Sequence, residues 1–371
     1  MRVVSVEMRD FRTYARAEAR LGEGLTVVHG PNGVGKSNLL EALYFGCTGR
    51  SPRTRNDREL VRFGAPATRV SVSLLDENEP HELTVGYQRS VDGRAEKRMS
   101  CDGAPVERLL DIPVRPLLSV FMPERLELLK GAPTLRRAHL DQVLAALWPS
   151  RAEVRREYSR VLAQRNALLA RIRAGRSSDA ALATWDRELA IKALELRAHR
   201  AEAVELLAEP FTSRARQLGL AGDARIEYRP RSRADDEEEF IAELQARLAS
   251  DLERGFSGHG PHRDELAILR DGRELRVYGS QGEQRLALLA LLLAERATIA
   301  TARRQSPLML LDDVMSELDA ERRQMLAAEL SSGGQSVIAT TDLDHVPGGD
   351  SATTARLLIS PGVVMQEALA A

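Results

Sequence analysis

Residues 30–37 read Gly-Pro-Asn-Gly-Val-Gly-Lys-Ser, and this octet decides the fold. It fits the pattern G-x-x-x-x-G-K-[ST]. The apolar run Leu25–His29 precedes it, and Ser37-Asn38-Leu39-Leu40-Glu41-Ala42-Leu43 follows with helical character. Strand, glycine-rich loop and helix in that order make a phosphate cradle. Glycines permit positive φ and close backbone approach, and loop N–H groups together with a helix N-terminus attract anions. Gly30, Pro31, Asn32, Gly33, Val34, Gly35, Lys36, Ser37 and Asn38 are therefore the candidate nucleotide contacts. Lys36 is expected to reach the β- and γ-phosphates, and Ser37 to ligate Mg²⁺. The chain has 49 Arg and only 4 Lys, so a lysine kept here points to its compact ammonium, which a guanidinium does not replace.

A second half-site lies far downstream. Residues 308–313, Leu-Met-Leu-Leu-Asp-Asp, are an apolar strand ending in two carboxylates. In phosphate-loop NTPases a carboxylate at a strand end holds the magnesium. Asp312 is the candidate metal ligand, and Asp313 the residue that polarises the attacking water. Lys36, Asp312 and Asp313 are the candidate catalytic set. Most of the chain separates them, so the head must be assembled from both ends of the sequence.

The intervening segment is helical. Residues 151–209 contain one Gly and no Pro, and Pro210 closes the stretch. Val154, Tyr158, Val161, Leu168 and Ile172 sit at heptad-like spacing, interrupted by Arg165. Leu182, Trp185, Leu189 and Leu196 repeat that spacing after the polar break at 175–179. Two antiparallel helices in a short hairpin are expected, with a third helix over 234–254 opened by an acidic run. Strands are expected at 70–75, 82–88, 94–101 and 116–121, and a hairpin over 265–277 around Asp271-Gly272. A long helix over 281–302, a strand at 308–311, a helix at 319–330 and a strand at 336–340 follow. The reading is α/β, with 1–130 and 255–371 as the two halves of an ATPase head and 131–254 as a helical arm.

Composition narrows the class. Two Cys support neither a disulfide scaffold nor a zinc site. No apolar run approaches the ~20 residues of a membrane span, and the alternating, charged N-terminus is unlike a signal peptide. A soluble, cytoplasmic protein is expected. The net charge of −1 argues at first against a nucleic-acid partner, but the average conceals segregation. Residues 122–176 carry 12 basic and 5 acidic side chains, and residues 50–69 carry 6 and 2.

Further strings carry a resemblance. Ser280-Gln281-Gly282-Glu283-Gln284 precedes a long helix, as an ABC signature does, and Ser316 to Asp319 follows Asp313 as a D-loop does. With Phe11-Arg12-Thr13-Tyr14, Ser51-Pro52-Arg53-Thr54, Phe121-Met122-Pro123-Glu124 and Gly260-Pro261-His262-Arg263-Asp264, the sequence resembles the RecF family of bacterial recombination and replication-repair proteins, within the ABC/SMC-type ATPase heads. The likeness runs through nearly the whole chain. It implies an ATP-dependent homodimer, with Ser280, Gln281, Gly282 and Glu283 of one copy meeting ATP held by the other. It implies a weak, Mg²⁺-dependent and DNA-stimulated ATPase acting as a switch, binding to double-stranded or gapped DNA, and RecR and RecO as partners leading to RecA.

Three positions depart from the wider ABC pattern. Asp313 stands where relatives have Glu. Thr341, with Asp342 and His345 nearby, stands where a switch His is usual, and Met122 where a Gln is usual. On the arm, Arg151, Arg155, Arg156, Arg160, Arg165, Arg171, Arg173 and Arg176 are candidate DNA contacts. Taken alone, a solvated helix face explains them equally well, and the resemblance favours DNA. The alternative reading is the ATPase subunit of an ABC transporter, which the long arm disfavours.

Overall fold

A computed structural model describes residues 1–89 and 95–367, so the first residue of the strand expected over 94–101 falls outside it. The chain divides into two compact units. One comprises Met1–Arg125, Gln217–Gly219 and the chain from Ile299 onward, and the other Leu126–Arg216 and Leu220–Thr298. These limits differ from the sequence-based boundaries: residues 255–298 belong with the helical unit. Strand Glu265–Arg270 pairs there with Ala224–Arg229, an edge not foreseen from the sequence. Arg136 and Arg200 add ion pairs to Glu265 at 2.7 Å and to Asp264 at 3.3 Å.

The first unit holds two six-stranded sheets. One is antiparallel, in the order Tyr14–Arg20, Arg2–Phe11, Ala67–Asp76, Glu79–Arg89, Ala95–Cys101, Ala104–Pro105. The other runs Val363–Glu367, Ala355–Ser360, Leu25–His29, Ser336–Thr340, Leu308–Asp312, Leu118–Phe121, parallel except at the Val363–Glu367 edge. Strands Leu308–Asp312 and Ser336–Thr340 are buried along their whole length, as a parallel sheet covered on both faces requires. Helix Lys36–Thr48 shares one apolar core with both sheets. Gly46 makes its approach possible, since a Cβ there would lie 2.4 Å from Val72 Cγ2.

In the second unit, helices Ala152–Arg173 and Leu182–Gln217 form the expected hairpin arm. Three features differ from expectation. The second helix continues through Pro210. Pro210 removes one helical hydrogen bond, to the carbonyl of Leu206, an exposed residue, where solvent can replace it. The expected 234–254 helix is broken into Glu237–Gln245, capped by Asp236, and Leu248–Arg254. The break lets the two pieces serve separate apolar clusters: Phe240 and Leu244 pack with Val154, Tyr158 and Leu189, while Leu248 and Leu252 pack with Leu168, Leu169 and Leu182. The second strand of the 265–277 hairpin is only Arg273–Glu274, followed by a helical turn, Leu275–Tyr278.

Arg165, the interruption in the heptad pattern, has 0% of its side chain exposed. It meets Asp186 at 2.7 Å, Asp251 at 3.1 Å and the Ser257 hydroxyl at 2.7 Å. It locks the arm internally and is corrected from a DNA-contact candidate to a structural residue. Removing one partner of a buried ion pair leaves uncompensated charge. Arg165→Ala is therefore expected to lower stability by about 3–5 kcal/mol in urea unfolding, whereas Arg160→Ala, on the exposed face, leaves the midpoint unchanged.

Candidate active site

Parallel pairing sets the site. Strand Leu308–Asp312 is in register with Ser336–Thr340, which pairs in turn with Leu25–His29. The C-terminal ends of these strands bring Asp312, Thr340 and the 30–37 loop to one edge of the sheet. In open α/β sheets this is the edge where ligands bind.

The loop has the predicted backbone. Gly30, Gly33 and Gly35 have φ of 145°, 80° and 120°. A Cβ on Gly30 would lie 2.4 Å from the Ile359 carbonyl oxygen, so only glycine fits there. Gly35 caps helix Lys36–Thr48 without a side-chain hydrogen bond, and the first turn carries no acid. The positive end of that helix is open to an anion. Lys36 Nζ donates to the carbonyls of Gly30 at 2.7 Å and Pro31 at 2.8 Å, bending over the loop. Burial lowers the lysine's pKa, and the Asp313 and Asp312 carboxylates oppose that shift. A loop in these conformations at an uncapped helix N-terminus, with an ammonium whose hydrogen bonds go to neutral carbonyls, suits a polyphosphate.

Asp312 is largely buried and its pKa is raised. Desolvation is the first cause, the Ser37 hydrogen bond pulls the other way, and Asp313 adds to the rise. The Ser37–Asp312 contact puts the two expected magnesium ligands side by side. Among the described residues no group of three or more His, Cys, Asp or Glu forms a metal cage. Mg²⁺ usually takes one or two protein ligands and completes its shell with water and phosphate oxygens, and Ser37 and Asp312 are the residues that would supply them.

Asp313 is exposed and sits at φ 50°, with its N–H donating to the Ala339 carbonyl at 3.0 Å. Asp is among the few residues at ease in that region, a local reason for the shorter acid. The segment that follows is held back on itself. Ser316 Oγ donates to the Asp313 carbonyl at 2.9 Å. Asp319 caps helix Ala320–Ser332 by accepting from Arg322 N–H at 2.9 Å. Met122 is fully buried. His345 lies in a short turn, Leu343–His345, capped by Asp342, and Thr341 is half-buried.

The signature stretch, in the second unit, is presented rather than buried. Ser280, Gln281 and Gly282 are exposed. Ser280 N–H donates to Glu283 at 2.8 Å, and Glu283 N–H donates to Ser280 Oγ at 3.3 Å, a reciprocal capping box that opens helix Gln281–Arg303. Glu283 also pairs with Arg270. Because the Ser280 oxygen accepts, its hydroxyl proton stays available to a phosphate.

The sequence reading left several bracing residues without a role. Tyr14 Oη donates to the Gly35 carbonyl at 2.9 Å, and Asn38 donates to Thr13 Oγ1 at 3.1 Å. Glu41, fully buried, accepts from Arg12 Nε and Nη2 at 2.8 Å and from the Ser51 hydroxyl at 2.6 Å. Arg53 bridges Glu41 at 3.3 Å to Glu124 at 3.2 Å. The available signal was one acid on an otherwise apolar helix; its partners come from other elements.

The arm arginines divide. Arg151 pairs with Glu202, Arg155 with Asp141 at 2.8 Å and Arg156 with Glu153 at 2.9 Å. Arg173 donates to the carbonyls of Glu253 and Arg254. Arg160, Arg171 and Arg176 are exposed, and Arg165 is internal, as described.

A phosphate loop joined through one parallel sheet to a distant carboxylate strand, with a helical insertion between, defines an SMC-type ATP-binding head. The family model described as RecF/RecN/SMC N terminal domain matches residues 2–354, and the chain belongs to this family. Within it, the chain falls in the RecF branch. It is 36% identical over 355 residues to DNA replication and repair protein RecF of Heliobacterium modesticaldum, with 93% of each chain covered. The protein of the same name from an Anaeromyxobacter species is 37% identical over 375 residues, covering 98% of this chain and 99% of that one. A solved structure of the recombination mediator protein RecF-ATP in the RecFOR pathway superposes with a TM-score of 0.85 at 28% identity, covering 99% and 97%. These likenesses leave the transporter reading without support. Among the described residues no helix is long and apolar enough to cross a membrane.

A carboxyl whose folded pKa lies above its unfolded value costs stability once pH exceeds both, and the cost disappears as pH falls below both. Asp312 is such a group. Asp312→Asn is therefore expected to raise the nucleotide-free Tm at pH 7.5 by about 2 °C, while Mg²⁺-dependent ATP turnover falls by about 100-fold or more. Calorimetry and a phosphate-release assay read the two effects.

Proposed function

We propose that this chain is an ATP-gated DNA-binding ATPase of recombinational repair. ATP lies with its phosphates on the 30–37 loop and closes two copies face to face. The single observation that carries the proposal is the exposed, self-capped signature at Ser280, in a chain whose phosphate loop and metal carboxylate are already joined through Ser37.

In the closed pair, Lys36 neutralises the β- and γ-phosphates of one ATP. The partner subunit's Ser280 and Gly282 donate to the same γ-phosphate. Ser37 and Asp312 would hold the Mg²⁺, which draws charge from the phosphate oxygens. Asp313 orients a water towards the γ-phosphate, and its short side chain makes turnover slow. Hydrolysis removes the group that both copies grip, and the pair opens. The dimer is favoured only through this differential affinity for nucleotide. Duplex or gapped DNA is the polyanionic partner, and RecO and RecR, leading to RecA, follow from the family relationship. A location in the cytoplasm accords with these roles.

Asp313→Asn keeps a residue suited to φ 50° and removes the charge that activates water. Gel filtration of this variant with ATP is expected to give a stable dimer that retains duplex DNA. Ser280→Arg is expected to remain monomeric while still binding ATP. A monomer throughout, or a Ser280→Arg dimer, would refute the shared-nucleotide interface. Single-turnover hydrolysis above about 1 s⁻¹ without DNA would refute the slow switch.

A further inference from the structure

The antiparallel sheet of the first unit has one face on the core and one exposed. Met8, Val70 and Val85 lie opposite one another on the buried face. One residue further along the strands, the exposed face carries a row of like charge. Arg9 is directly opposite Arg16 on one side and Arg69 on the other. All three are exposed, and residues directly opposite share a face. Beyond Arg69 the row passes through Gly86 to Arg98, whose charge is already met by Glu96 at 2.7 Å.

Like charges placed directly opposite destabilise a sheet. Among the described residues no ion pair joins Arg9, Arg16 or Arg69 to a carboxylate. The neighbouring row contains Glu18 opposite Glu7, but Glu18 is engaged by Arg20 at 2.9 Å. The arm contrasts with this, since Arg151, Arg155 and Arg156 are already satisfied by Glu202, Asp141 and Glu153. Free positive charge therefore gathers on the sheet more than along the first arm turns.

We propose that Arg9, Arg16 and Arg69 form a phosphate-contact row for the backbone of duplex DNA. This rests on the DNA-binding reading above and gives it a location. Strands lie about 4.8 Å apart, so the row spans about 10 Å, a length of duplex over which one backbone presents about three phosphates. The Glu7–Glu18 row borders the track and repels a backbone lying along the strands. The phosphate chain therefore crosses the strands, following Arg16, Arg9 and Arg69. These contacts reach no base edges, and binding is independent of sequence.

The test is a triple variant, Arg9→Ser, Arg16→Ser and Arg69→Ser, compared with wild type and with an arm variant, Arg160→Ser, Arg171→Ser and Arg176→Ser. Anisotropy of a labelled duplex is followed against salt with ATP present. The row variant is expected to weaken binding to all sequences alike and to reduce the slope of log K against log salt by two to three, at about 0.9 per lost phosphate contact. ATP binding and the ATP-dependent dimer should be unchanged, and the low-salt Tm should not fall. A folded row variant with wild-type affinity and slope overturns the proposal, as does a loss of binding confined to the arm variant. If wild type binds no duplex, the DNA reading and this location both fail. If wild type binds and the row variant equals it, only the location fails.

Discussion

Both hydrogen-bonding edges of the phosphate-loop strand Leu25–His29 are filled from the far end of the chain. Ser336–Thr340 pairs on one side and Ala355–Ser360 on the other. The first 120 residues therefore cannot complete this strand's pairing themselves. Gln335 reinforces the join with one side chain. It accepts from Val3 N–H at 2.8 Å and donates to the carbonyls of Val3 at 2.6 Å and Gly22 at 2.8 Å. The nucleotide site exists only when the two ends have met, and such non-local pairing carries a large loop-closure cost before contacts reward it. The helical unit is an insertion into a head that is discontinuous in sequence but continuous in space.

The phosphate loop is also held from the side. Tyr14 bonds the Gly35 carbonyl, and Arg12 and Arg53 converge on buried Glu41. Arg12 itself is at φ 52°, an uncommon conformation for a long side chain and one that a surrounding network must maintain. The loop is thus a preorganised element braced by strand ends and a following turn. Its glycines supply shape, and the bracing residues supply persistence.

Much of this was legible. The octet at 30–37 and the Asp pair at 312–313 carry their chemistry in local pattern, because strand, loop and helix are contiguous there. The hairpin arm was legible through its spacing. What escaped depends on partners distant in sequence. Arg165 reads as a surface charge breaking a heptad until Asp186 and Asp251 close around it. Strand Ala224–Arg229 alternates Ala224, Ile226 and Tyr228 with Arg225, Glu227 and Arg229, a period-two signal too short to stand out between helices until its pairing with Glu265–Arg270 is seen. The extent of the helical unit was missed for the same reason: Glu265 and Asp264 are tied to Arg136 and Arg200 across more than a hundred and about sixty residues. Pro210 was read by its propensity, which a 36-residue helix with neighbours overrides.

The arm's tip has a consequence for how the architecture can vary. The two hairpin helices turn at Ala174 to Ser178, where Gly175 has φ 68° and faces open space. Whole heptads inserted there would extend the coil while preserving the register of the Val154–Leu196 cluster behind it. The length of the hairpin is thus an adjustable dimension, and a lineage could extend it by duplication without altering a bond at the 30–37 loop. An affinity tag or fluorophore grafted at the same turn would report on the arm with the sheet undisturbed.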